Sequence, residues 1–180
     1  MSESHRYVAL LRAINVAGKT MKMADLRVAF ESFGVTDVST HIQTGNVLFR
    51  SQESDAGHQK RGLEEHLEAA LAYQGMVFVL TREELAAAAA NNPFEPERLQ
   101  QDQRCHLTFL SAEPDPVRCR ALMALQGEAA RFAVRGKVLY YAYPRTFQGW
   151  RRTVDFEKAL GVVGTARTWT VVAKLIELLA

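Results

Sequence analysis

Arg12, Asn15, Lys19 and Thr20 fall within one short run near the N-terminus, Leu10-Leu11-Arg12-Ala13-Ile14-Asn15-Val16-Ala17-Gly18-Lys19-Thr20, whose last three letters close a nucleotide-binding P-loop. That motif needs G-x-x-x-x-G-K-[ST], because its glycines let backbone N–H groups wrap the phosphates while the lysine and hydroxyl reach phosphate and magnesium. Here Ala13 stands where the first glycine belongs, and Ile14, Asn15, Val16 and Ala17 crowd the cradle. A P-loop enzyme also needs an aspartate at the end of a later apolar strand to hold the metal. Met76 to Leu80 runs into Thr81 and Leu107 to Leu110 into Ser111, so the pattern argues against a P-loop. What remains is a polar cluster of Arg12, Asn15, Lys19, Thr20 and Lys22 between a strand and a helix start, where anions are favoured. The structural alternative pairs Arg12 with a carboxylate and lets Asn15 bond the loop backbone.

Three other segments carry polar chemistry. Gln43-Thr44-Gly45-Asn46 has the composition of a tight turn, and its amides either close that turn or read a ligand edge; the backbone demand of a hairpin favours the turn. Between 128 and 152, Arg131, Arg135, Lys137, Arg145, Arg151 and Arg152 interleave with Phe132, Tyr140, Tyr141, Tyr143, Phe147 and Trp150, opposed by Glu128 alone. That mixture suits stacking on bases plus phosphate contact, as in an RNA-binding face. It equally suits a strand pair with aromatics inward and arginines outward, which is the favoured reading because strands alternate faces. Arg167 lies near a helix start, where the macrodipole disfavours a cation unless a carboxylate such as Asp155 or Glu157, or a bound phosphate, compensates.

No residue is nominated as a nucleophile. There is no G-x-S-x-G, no serine, histidine and aspartate order above chance, and no isolated carboxylate pair in an apolar setting. The two cysteines, Cys105 and Cys119, lack C-x-x-C spacing and read as buried thiols. The five histidines show no H-x-H or H-x-x-x-H pairing, so neither a metal nor any other cofactor is expected.

Composition bounds the rest. A chain of 180 residues, 48% hydrophobic, suits one domain or two small lobes with a sizeable core. Twenty-two basic against 20 acidic side chains, a formal charge of +2, is too mild a bias to argue nucleic acid or membrane from charge. With no signal-peptide pattern and no apolar run long enough to span a bilayer, a soluble cytoplasmic protein is expected.

The elements that must position these residues follow from periodicity. Tyr7 to Leu11 predicts a strand; Met23, Leu26, Phe30 and Phe33 predict a helix ending at Gly34; Val38 to Ile42 and Val47 to Phe49 predict a hairpin. A helix over Ser54 to Tyr73 and a strand over Met76 to Leu80 complete β-α-β-β-α-β, the ferredoxin-like unit. Thr81-Arg82-Glu83-Glu84 is a capping box opening an alanine-rich helix that ends at Asn91-Asn92-Pro93. A second round follows: a strand over Leu107 to Leu110, a helix over Pro116 to Leu125, a hairpin turning at Arg135-Gly136, and a terminal helix over Val171 to Leu179. The fold expected is α+β, two ferredoxin-like subdomains in one chain, the second incomplete because its last strand is missing or replaced. Residues 1–92 form the first subdomain with a capping helix, 93–104 a polar linker, and 105–180 the second with its C-terminal helix.

Tyr7 to Lys19, then His41-Ile42-Gln43-Thr44-Gly45-Asn46-Val47, Asn92-Pro93-Phe94 and Ala166-Arg167-Thr168-Trp169 together resemble a bacterial family, the domain-of-unknown-function family sixteen-ninety-seven. Its opening pattern is L-L-R-G-I-N-V-G-G. The resemblance implies two ferredoxin-like subdomains and no reaction. This chain departs from the pattern at Ala13 and Ala17, where the family has glycine, and at Thr168, where it has asparagine. The shared positions nominate Arg12, Asn15, Gly18, Lys19, Gln43, Asn46, Arg167 and Trp169 as ligand-binding residues, with Gly45 beside them.

The leading expectation is a module that holds an anionic, phosphate-bearing small ligand between the Arg12 to Lys22 loop, the Gln43 to Asn46 turn and the Arg167 helix start, which requires the three segments to meet. The alternatives are an RNA-binding protein using the 131–150 hairpin, and an enzyme acting on a small phosphorylated substrate with Arg12 and Lys19 as clamps. By analogy of fold alone, pairing of a sheet face or edge with a second copy is allowed.

Overall fold

The computed structural model describes residues 4–14, 21–42, 45–96, 103–125, 131–144 and 154–180. Among them the chain forms two four-stranded antiparallel sheets with packed helices, and it divides into two compact units: Met1–Ala86 with Leu175–Ala180, and Ala87–Lys174.

The first unit runs β1 (His5–Leu11), α1 (Met23–Ser32), β2 (Thr36–Thr40), β3 (Asn46–Ser51), α2 (Ala56–Leu71) and β4 (Val77–Thr81), with strand order β2-β3-β1-β4. This is the ferredoxin-like arrangement. Successive strand residues point to opposite faces, so Tyr7, Ala9 and Leu11 of β1 join Val47, Phe49, Val77 and Val79 under the helices. Leu26 and Phe30 of α1 and Leu63 and Leu67 of α2 close that core from above. Val8 and Leu10, on the other face, are buried as well, which is why β1 reads as an unbroken apolar run rather than an alternating one.

Local chemistry fixes the helix ends. Asp55 caps α2, its Oδ1 accepting from the backbone N–H groups of Gly57 at 2.7 Å and His58 at 3.1 Å. The bonds from His58 and Gly57 hold the Asp55 carboxyl below its ordinary range, since they favour the charged form. The helix α3 (Arg82–Ala90) opens with the predicted capping box: Thr81 N donates to Glu84 Oε2 at 2.8 Å and Glu84 N to Thr81 Oγ1 at 3.2 Å.

Two expectations need correction. The strand predicted over Val38 to Ile42 lies over Thr36–Thr40 instead. Its pairing with β3 shifts register between Thr36 and Ser39, where Asp37 takes φ +52° and pairs with Arg50 Nε at 2.9 Å, while Ile42 lies past the strand at φ +51°. An irregular strand hides its true limits from an alternation argument.

The second correction is larger, because the last strand of the second unit is present. That unit runs β5 (Gln103–Leu110), α4 (Pro116–Met123), β6 (Arg131–Arg135), β7 (Val138–Pro144), α5 (Phe156–Leu160) and β8 (Gly164–Thr168), with order β6-β7-β5-β8, the topology of the first. The strand β8 pairs with β5 from His106↔Thr168 to Leu110↔Gly164 and leads into α6 (Trp169–Leu178). Leu110, Leu122, Phe132, Leu139, Tyr141 and Leu160 make the core beneath α4 and α5.

On the other face of this sheet, Tyr140 is 1% exposed and donates its hydroxyl proton to Ala88 O at 2.8 Å. Burial pushes its phenol up to about 12. The unfolded chain loses this proton near pH 10 and the native protein near 12, so the stability tied to the neutral phenol is full below pH 10 and declines through that window. The slope is about 1.4 kcal/mol per pH unit. Tyr140→Phe is therefore expected to cost about 1 kcal/mol at pH 8, through the lost hydrogen bond, and close to nothing at pH 11. Urea denaturation of both proteins at the two pH values checks this; an unchanged gap contradicts it.

Candidate functional site

The chain leaving β1 is stitched to two neighbours by backbone bonds. Leu11 N donates to Gly45 O at 2.8 Å and Arg12 N to Met76 O at 3.0 Å. Tyr73, buried at the end of α2, donates its hydroxyl proton to Arg12 O at 2.7 Å, with Met76 O at 3.2 Å. Gly75 makes the junction feasible, because a Cβ there would stand 2.6 Å from Arg12 O and collide with the Tyr73 hydroxyl.

Beside this junction lies a cavity of about 540 Å³ lined by Arg12, Ala13 and Ile14 from the end of β1, Met21, Lys22 and Asp25 from the start of α1, and Leu71 to Gly75 from the end of α2. Lys22 is the N-cap residue of α1, and an ammonium has no acceptor with which to cap the first-turn N–H groups. Among the described residues, two cations, one carboxylate and a helix start thus meet around one hollow. Such a set can take an anion, and Asp25 can accept a hydrogen bond from the same molecule.

The nominated residues fall into three groups. Arg12 lines the cavity, whereas Asn46 pairs with Leu10 across β1 and β3 and is wholly buried, its Nδ2 donating to His41 O at 3.0 Å. That bond ties the turn, the role the turn composition favoured. Asn15, Gly18, Lys19 and Gln43 lie outside the described residues, as do Thr20, Arg145, Phe147, Trp150, Arg151 and Arg152. Arg167 and Trp169 belong to the second unit. Arg167 is 7% exposed, on β8 opposite Leu107, and its Nη1 donates to Thr165 Oγ1 and Ala166 O, each at 2.8 Å. Of its two suggested partners, Asp155 caps α5 and Glu157 Oε1 accepts from Gly164 N at 3.1 Å.

Asp25, Leu71, Tyr73, Gln74 and Gly75 were not nominated from the sequence. Met21 and the residues after α2 are far apart in the chain, and no motif joins them; the left-handed C-cap Ala72, at φ +52°, turns the chain back toward β1.

The described rings at the centre of the aromatic hairpin are buried. Tyr140 and Tyr141 are 1% and 3% exposed, Phe132 is buried, and Tyr141 stacks on His106 with ring centroids 4.9 Å apart. Those three rings serve the core; Tyr143 is half-buried, and Phe147 and Trp150 lie outside the described residues. Among the described residues no three histidine, cysteine, aspartate or glutamate side chains come together as a metal site, and no helix is long and apolar enough to cross a membrane.

The family model described as Protein of unknown function (DUF1697) matches residues 4–140. The chain belongs to the DUF1697 family. The match takes in every cavity residue and stops short of Arg167 and Trp169. Among solved structures, the conserved bacterial protein SP0830 from Streptococcus pneumoniae is 22% identical, with a TM-score of 0.75 over 99% of this chain and 100% of that one. That likeness shows the fold. A protein from Galdieria sulphuraria described as unknown is 15% identical, over 92% of this chain and 99% of that one, and its TM-score of 0.25 carries no argument. No curated protein matches.

Ala13 sits at φ +56° in the left-handed region. Glycine adopts it freely; alanine takes it at a cost of roughly 1–2 kcal/mol.

Proposed function

We propose that this DUF1697 protein binds a phosphate-bearing small anion in the cavity at the end of β1. The observation that carries the reading is the convergence of Arg12 and Lys22 on one hollow at the start of α1. The segment 15–20, with Asn15, Gly18 and Lys19, joins Ile14 to Met21, both of which line that hollow. Charge-assisted hydrogen bonds from such groups are about twice as strong as neutral ones. Gln43, Asn46, Arg167 and Trp169 are secondary to this reading, which does not depend on them.

The test is a thermal-shift series with inorganic phosphate, pyrophosphate and nucleotides at low salt, on the wild type, Arg12→Ala and Lys22→Ala. Stabilisation of the wild type by at least one of these ligands is expected, with tenfold or greater weakening in each variant. Responses identical in all three proteins would end the proposal.

A second reading, an enzyme on a small phosphorylated substrate, draws on Asp25 as a titratable group in the same cavity as Arg12. Its mark would be release of inorganic phosphate from a phosphate ester, lost in Asp25→Asn; binding without turnover rejects it.

A further inference from the structure

The cavity is larger and less polar than a bare phosphate requires. Phosphate occupies about the room of three waters, roughly 90 Å³ at some 30 Å³ each, against about 540 Å³ here. Pockets of roughly 300–1,000 Å³ are those that hold small organic ligands. The apolar part of the lining is Ile14, Met21, Leu71 and Tyr73. The Tyr73 ring is held in place by its hydroxyl's bond to Arg12 O, so it forms a fixed aromatic wall. Asp25 sets the other limit. Among the described lining residues it leaves one net positive charge with Arg12 and Lys22, and a carboxylate in the lining repels the further phosphates of a polyphosphate chain.

We infer that the ligand is a phosphate monoester with an apolar or aromatic body of about nucleoside size, its phosphate toward Arg12 and Lys22 and its body toward Leu71 and Tyr73. The inference rests on the anion-site reading above and narrows it from any phosphate to one class. Asp25 then has a constructive part as acceptor for a hydroxyl or amine on the body, which inorganic phosphate lacks.

The test is isothermal titration of the wild-type protein with four probes: inorganic phosphate, adenosine, adenosine 5′-monophosphate and adenosine 5′-triphosphate. The monophosphate is expected to bind at least tenfold more tightly than each of the other three. Leu71→Ala should weaken the monophosphate several-fold and leave inorganic phosphate unchanged. If inorganic phosphate or the triphosphate binds as tightly as the monophosphate, the inference is overturned while the anion site stands. If adenosine matches the monophosphate, or no probe binds, the anion-site reading falls and the inference with it.

Discussion

Gly75→Ala is expected to destabilise the protein by roughly 4 kcal/mol. The added methyl would sit 2.6 Å from a backbone oxygen, Arg12 O, which β1 holds in place, and would overlap the Tyr73 hydroxyl. Overpacking of a fixed site costs about 1–3 kcal/mol. Displacing Tyr73 adds to this, because its buried hydroxyl would lose Arg12 O and Met76 O at a further 1–3 kcal/mol. Urea denaturation should show a fall in midpoint with little change in slope. A loss under 1 kcal/mol would mean that the 71–76 turn yields easily, and that the cavity wall it forms is not rigid.

Leu63→Ala is expected to cost about 3 kcal/mol, within the 2–5 kcal/mol usual for emptying a fully buried leucine site. Leu63 is 0% exposed and lies on the buried stripe of α2 with Gln59 and Leu67, one turn apart each way. Gln59, also on the stripe, accepts from Ser51 Oγ at 3.0 Å and so ties the helix to β3. Removing Leu63 leaves a hole between these anchors, and calorimetry should record a clear fall in melting temperature. A negligible change would show that Phe33 and the neighbouring side chains packed on this core collapse into the space.

Most elements were legible because they carry a strong period. Leu26, Phe30, Leu63 and Leu67 sit at helical spacing and all point into one core. The hairpin at Arg135-Gly136 was legible through its turn residues, with Gly136 at φ +55°. The strand β8 was missed for a physical reason: Gly-Thr-Ala-Arg-Thr has almost no apolar content, and the positions it buries include Thr165 and Arg167. While that strand was unseen, Arg167 read only as a cation near a helix start. With five residues, α5 is too short to show a helical period, although Asp155 and Gly161 mark its ends.

The site was half legible. Arg12 and Lys22 stood out because charge after an apolar strand and before a helix has a recognisable logic. The far wall did not, because Leu71 to Gly75 meet Arg12 through a tyrosine hydrogen bond across 61 residues of sequence. Asn46 shows the opposite case. Its amide was visible as polar chemistry, but only the fold reveals that it is wholly buried and spends a donor on His41 O.

The claim that the hollow between β1, α1 and the end of α2 is an anion site is tested most directly by mapping. Inorganic phosphate and adenosine 5′-monophosphate are titrated separately into uniformly ¹⁵N-labelled protein at low salt, and amide shifts are followed residue by residue. Saturable shifts clustered at 12–14, 21–25 and 71–75, and abolished in Arg12→Ala, are the predicted result. Absence of saturable shifts with either probe, or a cluster elsewhere in the chain that survives Arg12→Ala, would contradict the account.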